Sequence, residues 1–172
     1  MKVFIEQQRF NQWFIHLITF GTSAIIVFSL YHMYFGYTPQ NTAPGLWFPI
    51  IMLFSMAIVL SIYTINLKTR IDEKGVQYQF FPFNLKPRLL SWCDIDSCYV
   101  RTYSPIKEYG GWGYRSGILS YGKAYNIKGN VGIQLILKNG KKLLIGTQQK
   151  EQAKQVIANY RSEMNADNPL EN

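Results

Sequence analysis

The amino-acid sequence predicts a membrane α-hairpin of two transmembrane helices, followed by a small β-barrel or β-sandwich that ends in a helix. Three observations predict this fold class. No Asp, Glu, Lys or Arg occurs between Phe10 and Leu67. Short segments of alternating apolar and polar residues follow up to about residue 147, and an apolar stripe at helical spacing comes last. A chain of 172 residues has room for one domain and a little more.

The uncharged block contains two apolar stretches, at about residues 13–35 and 46–67. At about 1.5 Å per residue each helix reaches roughly 30–35 Å, which is enough to cross a hydrocarbon core of about 30 Å. Two glycines and two prolines within residues 36–45 predict the turn between the helices. Aromatic residues mark the expected membrane interfaces: Trp13, Phe14, Tyr31, Tyr34, Tyr37 and Trp47.

Basic residues flank the block on both outer sides and predict its orientation. Lys2 and Arg9 precede the first helix, Lys68, Arg70 and Lys74 follow the second, and the connecting loop is uncharged. The positive-inside rule therefore predicts a multi-pass protein of the cell inner membrane with both termini in the cytoplasm. A cleaved signal peptide fits less well, because the apolar run is long and no small-residue cleavage site follows it.

Seven short strands are predicted after the hairpin. They are Leu67–Ile71, Gly75–Phe81, Arg88–Leu90, Ser97–Tyr103, Lys123–Ile127, Val131–Leu137 and Lys142–Ile145. Asn139-Gly140 predicts a tight hairpin between the last two strands, because both residues tolerate positive φ. The Ser91-x-x-Asp94 pattern predicts one helical turn before the fourth strand.

A C-terminal helix is predicted from Thr147, its expected N-cap. Its apolar stripe, expected to cover an open end of the sheet, is formed by Ala153, Val156, Ile157, Tyr160 and Met164. The predicted chain order is a cytoplasmic N-terminus at residues 1–12, the transmembrane hairpin at 13–67, the β domain at 68–164 and a disordered tail at 165–172.

Seven short strands followed by one amphipathic helix is the order of a pleckstrin-homology-like (PH-like) barrel. Four short segments strengthen this interpretation: residues 103–115, 123–130, 132–135 and 143–147. The first of them contains a Gly-Gly-Trp-Gly-x-Arg core. On these residues the chain resembles a family of uncharacterised bacterial two-helix membrane proteins with a PH-like domain. The resemblance covers about residues 65–160 and implies a fold and a bacterial origin, but no reaction. Phosphoinositide-binding PH domains usually carry several basic residues in the first hairpin, whereas Asp72-Glu-Lys-Gly75 has two acids and one base.

The most distinctive candidate binding site is a glycine-rich segment around an indole, here named the Gly-Trp loop. Its residues are Lys107, Tyr109, Gly110, Gly111, Trp112, Gly113 and Arg115. Glycines expose backbone N–H groups that can hold an anion, and Trp112 and Arg115 can stack on a ligand or grip a phosphate. Three alternatives stay open: a loop whose indole plugs the barrel mouth while Arg115 binds loop carbonyls, a protein or peptide site, and a small-anion or lipid-headgroup site.

Basic residues give the chain a net charge of +8. Those nearest the second helix are Lys68, Arg70 and Lys74. Near an anionic bilayer each contributes about 1 kcal/mol of attraction, although the positive-inside bias alone also explains them. Three more lie at the tip of the last predicted hairpin: Lys138, Lys141 and Lys142. No recognised motif supports nucleic-acid binding.

No catalytic or metal-binding pattern is recognised in the sequence. The predicted β domain has no histidine, the usual acid–base residue. Cys93 and Cys98 alone offer too few ligands for structural zinc. His16 and His32 are roughly 24 Å apart along one helix, so they cannot share a metal ion. We therefore expect no enzymatic activity, no metal and no cofactor.

The sequence predicts a membrane-anchored binding or scaffold module. Through the Gly-Trp loop or an open sheet edge it would recruit a protein partner or another copy of itself. The alternative is sensing of anionic lipid headgroups at the inner leaflet. The expected partners are membrane lipids, together with a protein or a second copy, and not nucleic acid.

Overall fold

The computed structural model describes residues 3–10, 13–35, 47–117 and 121–167. The chain divides into two compact units. The helical unit is Phe10–Ile65, and the sheet unit combines Met1–Arg9 with Asn66–Asn172. The predicted connection between the helices, residues 36–45, lies outside the described residues.

The helical unit contains two helices, α1 (Trp13–Phe35) and α2 (Trp47–Ser61), and α2 continues into a 3-10 turn at Ile62–Thr64. Within α1, Ile15–Met33 is long and apolar enough to cross a membrane, and only 6% of it is buried. The other apolar helix among the described residues, Ile50–Thr64, is shorter. By length and composition, the described residues therefore show one helix of membrane-spanning size, near the N-terminus.

The second predicted helix extends too far at its C-terminal end. Helical structure stops at Thr64, and strand β2 occupies Asn66–Asp72. Leu67 is fully buried in the sheet unit and stands opposite Phe80. The sequence analysis placed Leu67 both at the end of the second apolar stretch and at the start of the first predicted strand, because a protein core and a lipid core select the same side chains.

Polar side chains link the two helices to each other. The Tyr63 hydroxyl shares hydrogen bonds with Oγ1 of Thr19 at 3.0 Å and with Nδ1 of His16 at 3.1 Å. Oγ of Ser23 donates to Sδ of Met56 at 3.6 Å. Small hydroxyl side chains allow such close approach between apolar helices.

A strand that the sequence analysis did not assign precedes the helical unit. This strand, β1 (Phe4–Arg9), pairs antiparallel with β2, and Arg9 stands opposite Asn66. Its inward side chains are Phe4, Glu6 and Gln8, all buried. Two of these three are polar, so the apolar alternation that identifies a half-buried strand is missing. Residues 4–9 are thus part of the sheet unit, and the helical unit is inserted between its first two strands.

The first sheet has four antiparallel strands in the order β1-β2-β3-β4. Strand β3 is Gly75–Phe81 and strand β4 is Arg88–Ser91, as the sequence predicts. In the turn before β3, the Lys74 N–H donates to Oδ1 of Asp72 at 3.0 Å. After β4, the predicted helical turn is present at Trp92–Asp94.

The second sheet has five strands in the order β5-β8-β9-β7-β6, with β7 and β9 parallel. Its strands are β5 (Ile95–Thr102), β6 (Gly113–Ser116), β7 (Lys123–Asn126), β8 (Val131–Leu137) and β9 (Lys142–Gly146). The predicted hairpin between β8 and β9 is confirmed, since Gly140 has φ 77° and the Leu137 N–H donates to the Lys141 carbonyl at 2.9 Å. The described residues hold nine strands where the sequence predicted seven, because β1 and β6 were not assigned.

A C-terminal helix, α4 (Lys150–Asp167), packs against β1, β5 and β8. The predicted stripe is confirmed for its first four members, which are buried: Ala153, Val156, Ile157 and Tyr160. The side chain of Met164 and residues 168–172 lie outside what the structure describes, and residues 165–167 of the predicted tail are helical. The antiparallel first sheet, the mixed second sheet and this helix are compatible with a sandwich-like domain, the coarser part of the predicted fold.

Thr147 precedes α4 but is not its N-cap residue. The helix begins at Lys150, and Oγ1 of Thr147 accepts from the Gln149 N–H at 3.1 Å. The same hydroxyl donates to Glu6 at 2.6 Å, and the other Glu6 carboxylate oxygen accepts from the Gln148 N–H at 2.8 Å. Gln8 adds a bond to the Gly146 carbonyl at 2.7 Å. The polar inward face of β1 therefore holds the junction between β9 and α4.

Candidate functional site

The Gly-Trp loop connects a short helix, α3 (Pro105–Tyr109), to the edge strand β6. Gly110 ends α3 in the left-handed region with φ 71°, and its N–H donates to the Ile106 carbonyl at 2.9 Å. Gly111 and Gly113 also have positive φ, at 124° and 110°. An L-residue rarely adopts these angles, so the three glycines are explained by the path of the backbone from α3 into β6.

The polar groups of Trp112 and Arg115 already have partners within the protein. The Trp112 indole N–H donates to the Gly129 carbonyl at 2.9 Å, and its side chain is 36% exposed. Nε of Arg115 donates to the Trp112 carbonyl at 3.1 Å. Arg115 therefore binds a loop carbonyl, and the partly exposed indole is bonded to the connection between β7 and β8.

Beneath the loop, Tyr109 and Glu108 belong to a partly buried polar network. Nη2 of Arg101 donates to Oε2 of Glu108 at 2.7 Å, and the Ser104 N–H donates to Oε1 at 2.8 Å. Burial opposes ionisation of Glu108, but these two donors and the Arg101 charge lower its pKa below the ordinary value. The buried Tyr109 hydroxyl donates to the Tyr121 carbonyl at 3.2 Å. Lys107, in contrast, is exposed.

A fully buried amide, Asn126, attaches the loop to the domain and was missed by the sequence analysis. Its Oδ1 accepts from the Gly113 N–H at 2.8 Å, and its Nδ2 donates to the Tyr103 hydroxyl at 2.9 Å. Burial is the main cause that raises the pKa of Tyr103 to about 12, so this hydroxyl stays neutral. Every bond of this group lies inside the protein, which is typical of a structural role.

The predicted membrane-surface residues lie on the other sheet, away from the loop. Lys68 and Arg70 are exposed on β2, and Lys74 is exposed in the β2–β3 turn. Arg70 pairs with Asp72 at 2.8 Å, which neutralises part of its charge. The structure therefore does not bring these three residues together with Lys107 or Arg115 into one site.

A different group of basic residues does converge. A cleft of about 740 Å³ opens between β3–β4 of the first sheet and β6, β7 and the β8–β9 hairpin of the second. The residues that give the cleft its chemistry are Tyr78, Arg88, Lys123, Tyr125, Lys141 and Lys142. No Asp or Glu lines it. Among the described residues the ion pairs are Arg70–Asp72 and Arg101–Glu108, so neither involves a cation of this basic cleft.

Two tyrosines form a neutral wall of the basic cleft. The rings of Tyr78 and Tyr125 lie 4.9 Å apart, centroid to centroid. Burial, together with the neighbouring Tyr125, raises the pKa of Tyr78 to about 12, although the adjacent Arg88 charge acts in the opposite direction. Tyr78 therefore keeps its proton, and its hydroxyl is already hydrogen-bonded to Tyr125 and Arg88.

Stacked aromatic rings hold the cleft wall in place. Tyr114 of β6 stacks on Tyr125 with ring centroids 5.0 Å apart, and Phe83 lies 5.6 Å from Tyr114. Phe80 contacts both Phe83 and Tyr125, at 5.8 and 5.7 Å. The cluster bridges both sheets, so it fixes the width of the cleft between them.

Comparisons with known proteins add no family assignment: the chain matches no protein-family model and no curated protein. Within the described ranges, no group of three or more His, Cys, Asp or Glu side chains is arranged to hold a metal ion.

The sequence analysis found only part of the basic cleft. It noted Lys141 and Lys142 at the hairpin tip and assigned them no partner. Arg88 and Lys123 lie 35 positions apart in the chain, and only the packing of the two sheets brings them together with the lysines. The available signal was the absence of acidic residues from Gly75 to Cys93.

Proposed function

We propose that this protein is a membrane-anchored binding module whose sheet unit faces the cytoplasm and binds an anionic ligand in the basic cleft. The observation that carries the proposal is that four basic residues and no acidic residue line one cleft of about 740 Å³. Basic residues around one cleft give it a positive potential that favours a bound anion. No catalytic role is part of the proposal.

The anchor in this proposal is a two-helix hairpin. The membrane-sized helix Ile15–Met33 and the shorter apolar helix Ile50–Thr64 support it. Arg9 and Asn66, which flank the helical unit, stand opposite each other in the β1–β2 pair. A chain that leaves one strand and returns to the neighbouring strand must cross the bilayer an even number of times. This constraint favours two crossings over a single anchor.

The residues of the cleft indicate the class of ligand. Arg88 offers a planar fork of N–H donors that fits phosphate or carboxylate oxygens. The three lysines, Lys123, Lys141 and Lys142, offer movable point charges. This set suits a phosphate group.

The test uses the full chain in phosphatidylcholine nanodiscs, titrated with inorganic pyrophosphate at low ionic strength and followed by calorimetry. The variant K141Q/K142Q removes two cleft cations. Charged hydrogen bonds contribute about 1.5–3 kcal/mol each when well formed, and exposed lysines contribute less. We therefore expect the double variant to weaken binding by about tenfold, which corresponds to 1.4 kcal/mol.

The matched control is K107Q/K154Q, which changes the net charge equally at exposed lysines outside the cleft. It is expected to bind pyrophosphate almost as well as the parent protein. An equal loss in both variants would show that only the overall charge matters, and absence of binding by the parent would refute the proposal.

Self-association or protein recruitment is a second candidate function, favoured by the position of β6. This strand ends the five-stranded sheet, and it carries the exposed Tyr114 beside Trp112. An unpaired edge is a template for another strand.

Co-purification of two differently tagged copies tests this second function. The variant W112A/R115A should abolish capture of the second copy. Capture by this folded variant equal to that of the parent protein would contradict self-association through this edge.

A further inference from the structure

The connection between β3 and β4 and the first residues of β4 expose large apolar side chains on a short segment. In the segment Phe83–Leu89, Phe83 is 61%, Leu85 73% and Leu89 50% exposed. Single exposed apolar residues are ordinary, but three within seven positions place much apolar area in contact with water. The segment therefore has the composition of a contact surface.

Backbone and side-chain bonds fix the shape of this segment. The Asn84 N–H donates to the Phe80 carbonyl at 2.7 Å, and Nε2 of Gln79 donates to the Leu85 carbonyl at 2.7 Å. The Phe83 ring packs beside Phe80 and Tyr114. The turn is thus held from both sides while its apolar side chains stay exposed, so their exposure is a feature of the folded domain.

Cations alternate with the apolar side chains of the segment. Lys86 and Arg88 are both exposed, and no Asp or Glu occurs between Gly75 and Cys93. Apolar side chains beside cations, without acids, are the composition of surfaces that settle into the interface of an anionic bilayer. Arg88 also lines the basic cleft, so the segment and the cleft share a border.

We propose that the segment Phe83–Leu89 inserts its apolar side chains into the interface of an anionic bilayer, and that the phosphate of a membrane lipid is the anion bound in the basic cleft. The second part rests on the proposed function, whereas the first rests on the exposed side chains themselves. In water, the exposed parts of Phe83, Leu85 and Leu89 would stay in contact with solvent. A bilayer offers acyl chains to the apolar residues and anionic headgroups to the cations next to them.

The experiment places a spin label on the segment in the full-length protein. The variant L85C/C93S carries the label at position 85, since Cys98 is buried and only 1% exposed. The protein is reconstituted into nanodiscs of phosphatidylcholine alone or with phosphatidylglycerol. Collisions of the label with oxygen and with a water-soluble nickel complex then report whether it lies in lipid or in water. We expect lipid contact that increases with phosphatidylglycerol.

The matched control is I106C/C93S. Ile106 is 66% exposed and precedes the exposed Lys107, so it has similar apolarity and a neighbouring cation. Its label is expected to stay in water in both lipid compositions. A label at position 85 that stays in water overturns the proposal, and equal immersion at positions 85 and 106 overturns its assignment to this segment.

A charge variant separates this proposal from the proposed function. K86Q removes a cation of the segment that does not line the cleft. It is expected to reduce the phosphatidylglycerol dependence of the label at position 85 by about fivefold, and to leave pyrophosphate affinity unchanged. Immersion that is identical with and without phosphatidylglycerol overturns the assignment of an anionic lipid, even where pyrophosphate still binds the cleft.

Discussion

Glu108 shows how a single carboxylate fixes the beginning of the Gly-Trp loop. It accepts from the backbone N–H of Ser104, the residue before α3, and from the Arg101 guanidinium of β5. Both bonds are strongest when the carboxylate is ionised, and together they lower the pKa of Glu108. The loop conformation is therefore coupled to a titratable group.

This coupling predicts a pH-dependent contribution to stability. The folded pKa of Glu108 lies below its ordinary value of 4.5, so the stabilisation is complete above that value and is lost as pH falls through the folded pKa. We expect E108Q to lower the free energy of unfolding on the order of 1 kcal/mol at about pH 7, because the ion pair is only partly buried. At about pH 3 the difference between the variant and the parent protein should be smaller than at about pH 7.

Denaturant unfolding of the reconstituted protein at the two pH values measures this difference. The control is E73Q, which removes an exposed carboxylate from the β2–β3 turn. A difference between E108Q and the parent protein that is as large in acid as at neutral pH would contradict an electrostatic origin.

Among the elements, β1 determines which part of the chain forms an independent domain. It provides Phe4 to the core and bonds Gly146, Thr147 and Gln148 through Gln8 and Glu6. A fragment that begins after the helices lacks all of these contacts. The sheet unit is therefore discontinuous in sequence.

A linked domain tests this architecture. Replacing residues 10–65 with Asn-Gly places a two-residue turn between Arg9 and Asn66, which already stand opposite each other. We expect this protein to fold in water, with dispersed amide resonances and cooperative thermal unfolding. The comparison fragment, residues 66–172, is expected to be less stable by several kcal/mol, since it loses a buried aromatic side chain, two buried hydrogen bonds and one partly buried hydrogen bond. Equal stability of the two proteins would show that β1 is dispensable.

For the whole molecule, the pairing of β1 with β2 restricts membrane topology. Both ends of the helical unit join the same sheet, so in the proposed two-helix anchor both ends lie on one side of the bilayer. We expect tags placed before Phe4 and after Asp167 to be protected from protease in intact cells and cleaved in inside-out vesicles. Retention of the protein in membranes after alkaline washing is the accompanying measurement. Opposite sensitivity of the two tags would exclude the two-crossing hairpin.

Local patterns were sufficient for most of the individual elements. The seven predicted strands, the Asn139-Gly140 hairpin and the apolar stripe of α4 depend on residues close in sequence, so they can be read from alternation and turn chemistry. Strand β1 could not be predicted in this way, since its inward residues Glu6 and Gln8 are polar and their hydrogen-bond partners lie about 140 positions away. The glycines of the Gly-Trp loop indicated an unusual backbone conformation. They did not indicate whether the side chains of the loop were already hydrogen-bonded within the protein.

The sequence by itself determined a charge-free apolar block, a succession of short strands and an amphipathic terminal helix, because hydropathy and turn preferences act between neighbours. Only the tertiary structure decided that residues 4–9 belong to the sheet unit and that Arg88, Lys123, Lys141 and Lys142 line one cleft. Side chains far apart in the chain acquire a common environment through strand pairing and sheet packing. No local pattern encodes the distances that result.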